Sequence, residues 1–114
     1  MSIDALVAND GRLRILTALA ADGAQEFVRL RRSTRLTDGN LSAHARRLQA
    51  AGLVDIEKAF REGKPVTTFH LSPVGRQRLT AHVRALVEAV MPGEQRQPEL
   101  VAVAADDAAD DWID

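Results

Sequence analysis

The segment Leu36–Gly52 constrains this chain more than any other, because both of its ends are marked. Thr37 is a favoured N-cap, and Asp38 places a carboxylate in the first turn, where the helix dipole favours it. Leu36 and Leu41 stand at the two positions of a hydrophobic staple, and Gly52 follows the last periodic residue as a C′ glycine would. The preceding segment, Phe27–Arg35, also reads as a helix, with Phe27, Leu30 and Val28 as its inward candidates. Only Leu36 and Thr37 separate the two, so the helices must turn sharply against each other. On a helical wheel Leu41, Ala45 and Leu48 share the inward side, with His44 at its margin. Gly39, Asn40, Ala43, Arg46 and Arg47 face outward, and Ser42 lies on the flank.

The rest of the chain supplies a core for this pair. Ile3–Val7 predicts a short helix ending near Asn9. Arg12–Ala21 predicts a second, with Leu13, Leu16 and Ala20 on one face, widened by Ile15 and Leu19, and Asp22-Gly23 stops it. Glu26-Phe27 fits either a very short strand or the entry to the next helix. Beyond Gly52 the period changes from 3.6 to 2: Leu53–Phe60 alternates, with Val54, Ile56 and Phe60 on one face. Arg61–Pro65 is a turn and Val66–Leu71 a second β-rich run, which together make a hairpin. Ser72-Pro73 gives a cap followed by proline at the first helical position, opening a long helix to about Met91. The expected fold is mainly α with one small β-hairpin.

At 114 residues the chain supports one domain of ordinary size. No apolar run approaches the roughly 20 residues of a membrane span. Met1-Ser2-Ile3-Asp4 lacks the basic-then-apolar order of a signal peptide, so a cytoplasmic location is expected. Cysteine is absent, which excludes disulfides and thiolate metal sites. The formal net charge of −1 hides an uneven distribution. Residues 99–114 carry six acids and no Lys or Arg, which leaves 15 basic against 10 acidic residues before them. Within 29–47, Arg29, Arg31, Arg32, Arg35, Arg46 and Arg47 stand against Asp38 alone. A focused positive face suits a polyanionic partner, although a well-solvated arginine helix would look the same in composition.

The outward residues of Leu36–Gly52 have the chemistry of a major-groove reader. Asn pairs with adenine edges, Arg with guanine, and Ser reaches a base or phosphate. Gly39 and Ala43 are small enough for close approach to base edges, and glycine there costs roughly 1 kcal/mol against alanine. The hairpin that follows, with Arg61 and Lys64 at its tip, is placed to touch the sugar-phosphate backbone or the adjacent minor groove.

These motifs resemble a known group. The run Leu36-Thr37-Asp38-Gly39-Asn40-Leu41-Ser42-Ala43-His44, then Leu48-Gln49-Ala50-Ala51-Gly52-Leu53-Val54, is similar to winged helix-turn-helix regulators of the MarR/ArsR-like group. The nearest pattern is that of a short subfamily reading Leu-Thr-x-Gly-Asn-Leu-Ser-x-His and then Leu-x-x-Ala-Gly-Leu-Val. Gly63-Lys64-Pro65, Thr67-Thr68-Phe69, Leu71-Ser72 and Gly75-Arg76 resemble its wing and closing helix, and Gly11–Leu16 resembles its opening helix. The resemblance spans about residues 3–92. It implies a dimeric transcriptional regulator on a roughly palindromic DNA site, with the recognition helix in the major groove and the wing beside it. Two features depart from the pattern: Ala45, where the group has leucine, and the acidic end.

The expected DNA contacts are therefore Arg29, Arg32, Thr37, Gly39, Asn40, Ser42, Ala43, His44, Arg46, Arg47, Arg61 and Lys64. The expected homodimer seam is Ile3, Leu6, Leu79, Val83, Leu86, Val87 and Val90, with Val7 beside it. Residues 1–92 are expected to bind DNA and dimerise. Residues 93–114 read as an acidic tail, either a solubilising end or one whose Asp106–Asp114 docks on the Arg29–Arg47 face and competes with DNA, with Trp112 as an apolar anchor. His44, His70 and His82 have no partner at ligand spacing, so neither metal nor cofactor is expected. Nor does any nucleophile, phosphate loop or carboxylate pair suggest an enzyme, and no effector pocket is recognisable. The competing reading is a winged-helix module that binds protein without DNA.

Overall fold

The computed structural model describes residues 3–92, so the acidic segment 93–114 lies outside the described residues. The elements are α1 (Ala5–Ala8), α2 (Asp10–Asp22), β1 (Gln25–Glu26), α3 (Phe27–Thr34), α4 (Asp38–Ala50), β2 (Val54–Arg61), β3 (Lys64–Leu71) and α5 (Pro73–Val90). Helices dominate, and the three strands form an antiparallel sheet in the order β1-β3-β2. Two units divide the chain: Ile3–His82, and a second that begins within α5 at Val83.

Side-chain caps start the first helices. Asp4 accepts from the Val7 amide for α1, and Asn9 accepts from the Arg12 amide for α2. Glu26-Phe27 resolves into both of its expected roles. Gln25 and Glu26 pair with Phe69 and Thr68 as β1, and α3 begins at Phe27. α3 ends on Arg35 in the left-handed conformation (φ 61°), which redirects the chain within three residues into α4. The Arg14 guanidinium of α2 donates to the Thr34 carbonyl at 3.1 Å, satisfying an end group of α3.

The core of Ile3–His82 is Val7, Ile15, Leu16, Leu19, Leu30, Leu41, Ala45, Leu48, Leu53, Val54, Phe69 and Leu79. Every helix from α1 to α5 thus contributes, and both long strands close it. Phe27 and Phe69 meet with ring centroids 6.1 Å apart. Two inward expectations are corrected. Val28 is 50% exposed, since Phe27 and Leu30 already fill the buried side of the short α3. Phe60 is 77% exposed, because the hairpin extends past the helices that cover Val54 and Ile56.

The expected turn also shortens. β2 and β3 pair from Val54↔Leu71 to Arg61↔Lys64, leaving Glu62 and Gly63 as a two-residue loop. Both have positive φ (53° and 79°), the requirement of a type I′ hairpin turn.

Candidate nucleic-acid interface

The boundaries of α4 are built from local hydrogen bonds. Thr37 Oγ1 accepts from the Asn40 amide at 3.1 Å. At the other end the Gly52 amide donates to the Gln49 carbonyl and the Leu53 amide to the Leu48 carbonyl, both at 2.9 Å. With Gly52 at φ 80°, this is a Schellman termination. Leu53 is buried in the core just beyond it, so the end of the helix fixes the start of β2. Ser72 then locks the hairpin base: its Oγ donates to the Gly52 carbonyl at 2.6 Å and accepts from the Gly75 amide at 2.9 Å.

α4 buries Leu41, Ala45 and Leu48 and exposes Gly39, Asn40, Ala43, Arg46 and Arg47. Beyond its own turn of helix, nothing lies within 4 Å of where a Cβ on Gly39 would stand, so packing does not require glycine there. Asp38, the one acid of the 29–47 stretch, is held by Arg31 at 2.9 Å. Among the described residues Arg29, Arg32, Arg35, Arg46 and Arg47 form no ion pair. Among the described residues, the surface around α4 therefore keeps positive charge that internal ion pairs do not neutralise.

His44 is half-buried, and its ring lies against Gly11 of α2: a Cβ added there would stand 2.6 Å from Nε2. Burial holds the His44 pKa below its ordinary value, and the positive charges of Arg12 and Arg47 lower it further. Arg12 itself is anchored, donating from Nε to the Leu6 carbonyl at 2.7 Å.

Between α4 and the hairpin lies a cleft of about 430 Å³, lined by Ser42, Ala45, Arg46 and Gln49 from the helix, with Ile56, Lys58, Thr67, Phe69 and Phe27 opposite. Ala45, small where the resembled group has leucine, forms part of its wall. Lys58, Thr67 and Gln49 were not among the expected contacts. Alternation along β2 places Lys58 with Ile56, and Gln49 lies one turn beyond Arg46, so both were legible. Arg61 and Lys64 pair across β2 and β3 and occupy the other face of the hairpin. The Arg61 guanidinium is bound to the Glu26 carboxylate, which raises its pKa, whereas Lys64 is exposed. Arg29 and Arg32 are exposed on α3, beside a surface hollow bounded by Ala24, Gln25 and Glu26.

Of the expected dimer residues, Val83, Leu86, Val87 and Val90 are exposed along α5, and so is Ile3. Leu6 packs partly against the chain's own core, Val7 lies fully within it, and Leu79 is only 6% exposed there. No group of three or more His, Asp or Glu side chains that could hold a metal ion occurs among the described residues.

A capped helix set after a tight interhelical turn, followed by a projecting hairpin, defines a winged helix. The chain belongs to the winged helix DNA-binding domain family, whose model matches residues 12–90. An uncharacterized protein of Methanocaldococcus jannaschii is 29% identical over 77 residues, 68% of this chain and 84% of its own length. Among solved structures, the transcriptional regulator homologue protein from Pyrococcus horikoshii OT3 superposes with a TM-score of 0.67 and 25% identity, covering 78% of this chain and 91% of that one. A MarR-family transcriptional regulator from Silicibacter pomeroyi gives a TM-score of 0.56 and 26% identity, covering 88% of this chain and 68% of that one. Fold and family together make this a DNA-binding protein of the transcriptional-regulator kind. No helix among the described residues is long and apolar enough to cross a membrane.

Proposed function

We propose that the protein is a sequence-specific transcriptional regulator that binds a pseudo-palindromic duplex as a homodimer. In this reading α4 enters the major groove, and the wing lies on the adjacent backbone or minor groove. The observation that carries it is the outer face of α4, where Asn40, Arg46 and Arg47 project beside Gly39 and Ala43 with no unpaired acid among them. Asn40 and Arg46 read bases, while Ser42, Arg47, Thr37 and His44 position the helix on phosphates. Arg29, Arg32 and Lys64 add exposed charge that attracts the backbone. Residues 1–92 act as the DNA-binding and dimerisation unit, with 93–114 as a separable acidic extension. Val83, Leu86, Val87 and Val90 provide the apolar strip for a second copy, as two half-sites multiply the contacts of so small a reader.

Selection of bound duplexes from a random pool tests the whole reading, and the half-site spacing reports the dimer geometry. Arg46→Ala and Asn40→Ala should each cost about 1–3 kcal/mol on the selected duplex and relax preference at one base position. Affinity should fall steeply with salt through counterion release. A protein-binding module would show neither effect, and variants that keep the wild type's affinity and base preferences would sink the proposal.

A further inference from the structure

The strand register divides the wing into two unlike faces. Directly opposed residues share a face. One face therefore carries Ile56 with Phe69, then Lys58 with Thr67, then Phe60 with Pro65 toward the tip. The first two of these pairs line the cleft against Ser42 and Arg46 of α4. The other face carries Glu57 bonded to His70 at 2.9 Å, and Arg61 engaged with Glu26. The side of the wing that continues the DNA-reading surface thus presents a cation and then an exposed aromatic ring. The tip arginine is occupied elsewhere.

We propose that Phe60, backed by Pro65, is the wing's DNA contact: its ring enters the minor groove flanking the half-site and packs on sugars and base edges. Lys58 on the same face holds the neighbouring phosphates. The inference rests on the DNA-binding reading and adds a contact of different chemistry to it. A phenyl ring 77% exposed on a projecting hairpin has apolar surface to bury, and none of the described residues covers it. Apolar side chains placed in the minor groove are an established means of gripping and deforming a duplex. The ring also discriminates. The guanine N2 amino group is the one donor in that groove, and an apolar ring pressed against it leaves it unsatisfied. The wing should therefore prefer flanks without that amino group.

The test uses the full chain and a duplex that joins the half-sites it selects from a random pool to flanks built with G·C pairs. Flanking G·C pairs are replaced by inosine·C, which removes the N2 amino group and leaves the major groove unchanged. Wild-type protein should bind the inosine duplex at least about threefold more tightly. Phe60→Ala should bind the parent duplex at least about fivefold more weakly and lose the inosine preference, while melting like the wild type. Phe60→Leu, which keeps apolar bulk, should retain part of both effects. Equal binding by Phe60→Ala and wild type would overturn the proposal, as would a wild type indifferent to inosine. Arg46→Ala in parallel separates the two levels: if it weakens binding while Phe60→Ala does not, DNA reading stands and the Phe60 contact falls. Failure of the wild type to select any duplex would overturn both.

Discussion

His44 shows how a single residue links packing to the DNA-facing helix. Its ring fills the space that a side chain at Gly11 would take, and burial together with Arg12 and Arg47 disfavours its charged form. The unfolded chain, with an ordinary imidazole near pH 6.5, takes up the proton first. The contribution of His44 to stability is thus complete above that pH and is lost as pH falls toward the lower folded-state value. Urea unfolding should show a lower midpoint at about pH 5.5 than at pH 7.5, and His44→Asn should reduce the difference. Gly75 is constrained by backbone instead of by a movable ring. A Cβ there would overlap the Leu53 carbonyl oxygen, itself the acceptor for the Ser72 amide. Gly75→Ala should cost at least about 2 kcal/mol in chemical denaturation, because a backbone carbonyl cannot swing aside as a side chain can.

At the scale of elements, α4 and the wing are specified in different ways. The ends of α4 follow from short-range chemistry, so Thr37, Asp38 and Gly52 announced them in sequence. The wing's alternation was equally plain, but its partition into cleft face and outer face depends on pairing with β3 and on the reach of Arg61 to Glu26. The tip offers a separable prediction. Glu62 sits at φ 53°, a conformation that asparagine adopts with less strain, and its carboxylate opposes a polyanion. Glu62→Asn should stabilise the fold by roughly 0.5 kcal/mol in denaturant titration. It should also tighten DNA binding at low salt, an effect that fades as salt is added.

For the whole molecule, two predictions concern assembly and charge. Val83, Leu86, Val87 and Val90 recur at three- and four-residue spacing along α5 and are exposed. Leu86→Glu should convert a dimer to a monomer in analytical ultracentrifugation and reduce binding to two-half-site DNA far more than to a single half-site. Residues 99–114 hold six of the 16 acids and no Lys or Arg. A chain ending at residue 98 should bind DNA more tightly at low salt, with the gap closing once the Debye length falls to a few ångströms.

The sequence by itself determined the helices, the tight turn before α4, the hairpin and the outward set Gly39, Asn40, Ala43, Arg46 and Arg47. Each of these depends on caps, turn residues and periodicity acting over a few positions. Tertiary structure alone decided which cations the described acids engage: Arg31 is used by Asp38, Arg61 by Glu26 and Arg78 by Asp4. It alone decided that Leu79 belongs to the core and that Phe60 lies beyond it, since no local pattern records where the neighbouring helices stop. The cleft between α4 and the wing arises in the same way, because Ser42, Arg46, Lys58 and Thr67 meet only after the sheet has packed. Such pairings join residues far apart in the chain and follow from how the elements dock, which local sequence patterns do not encode.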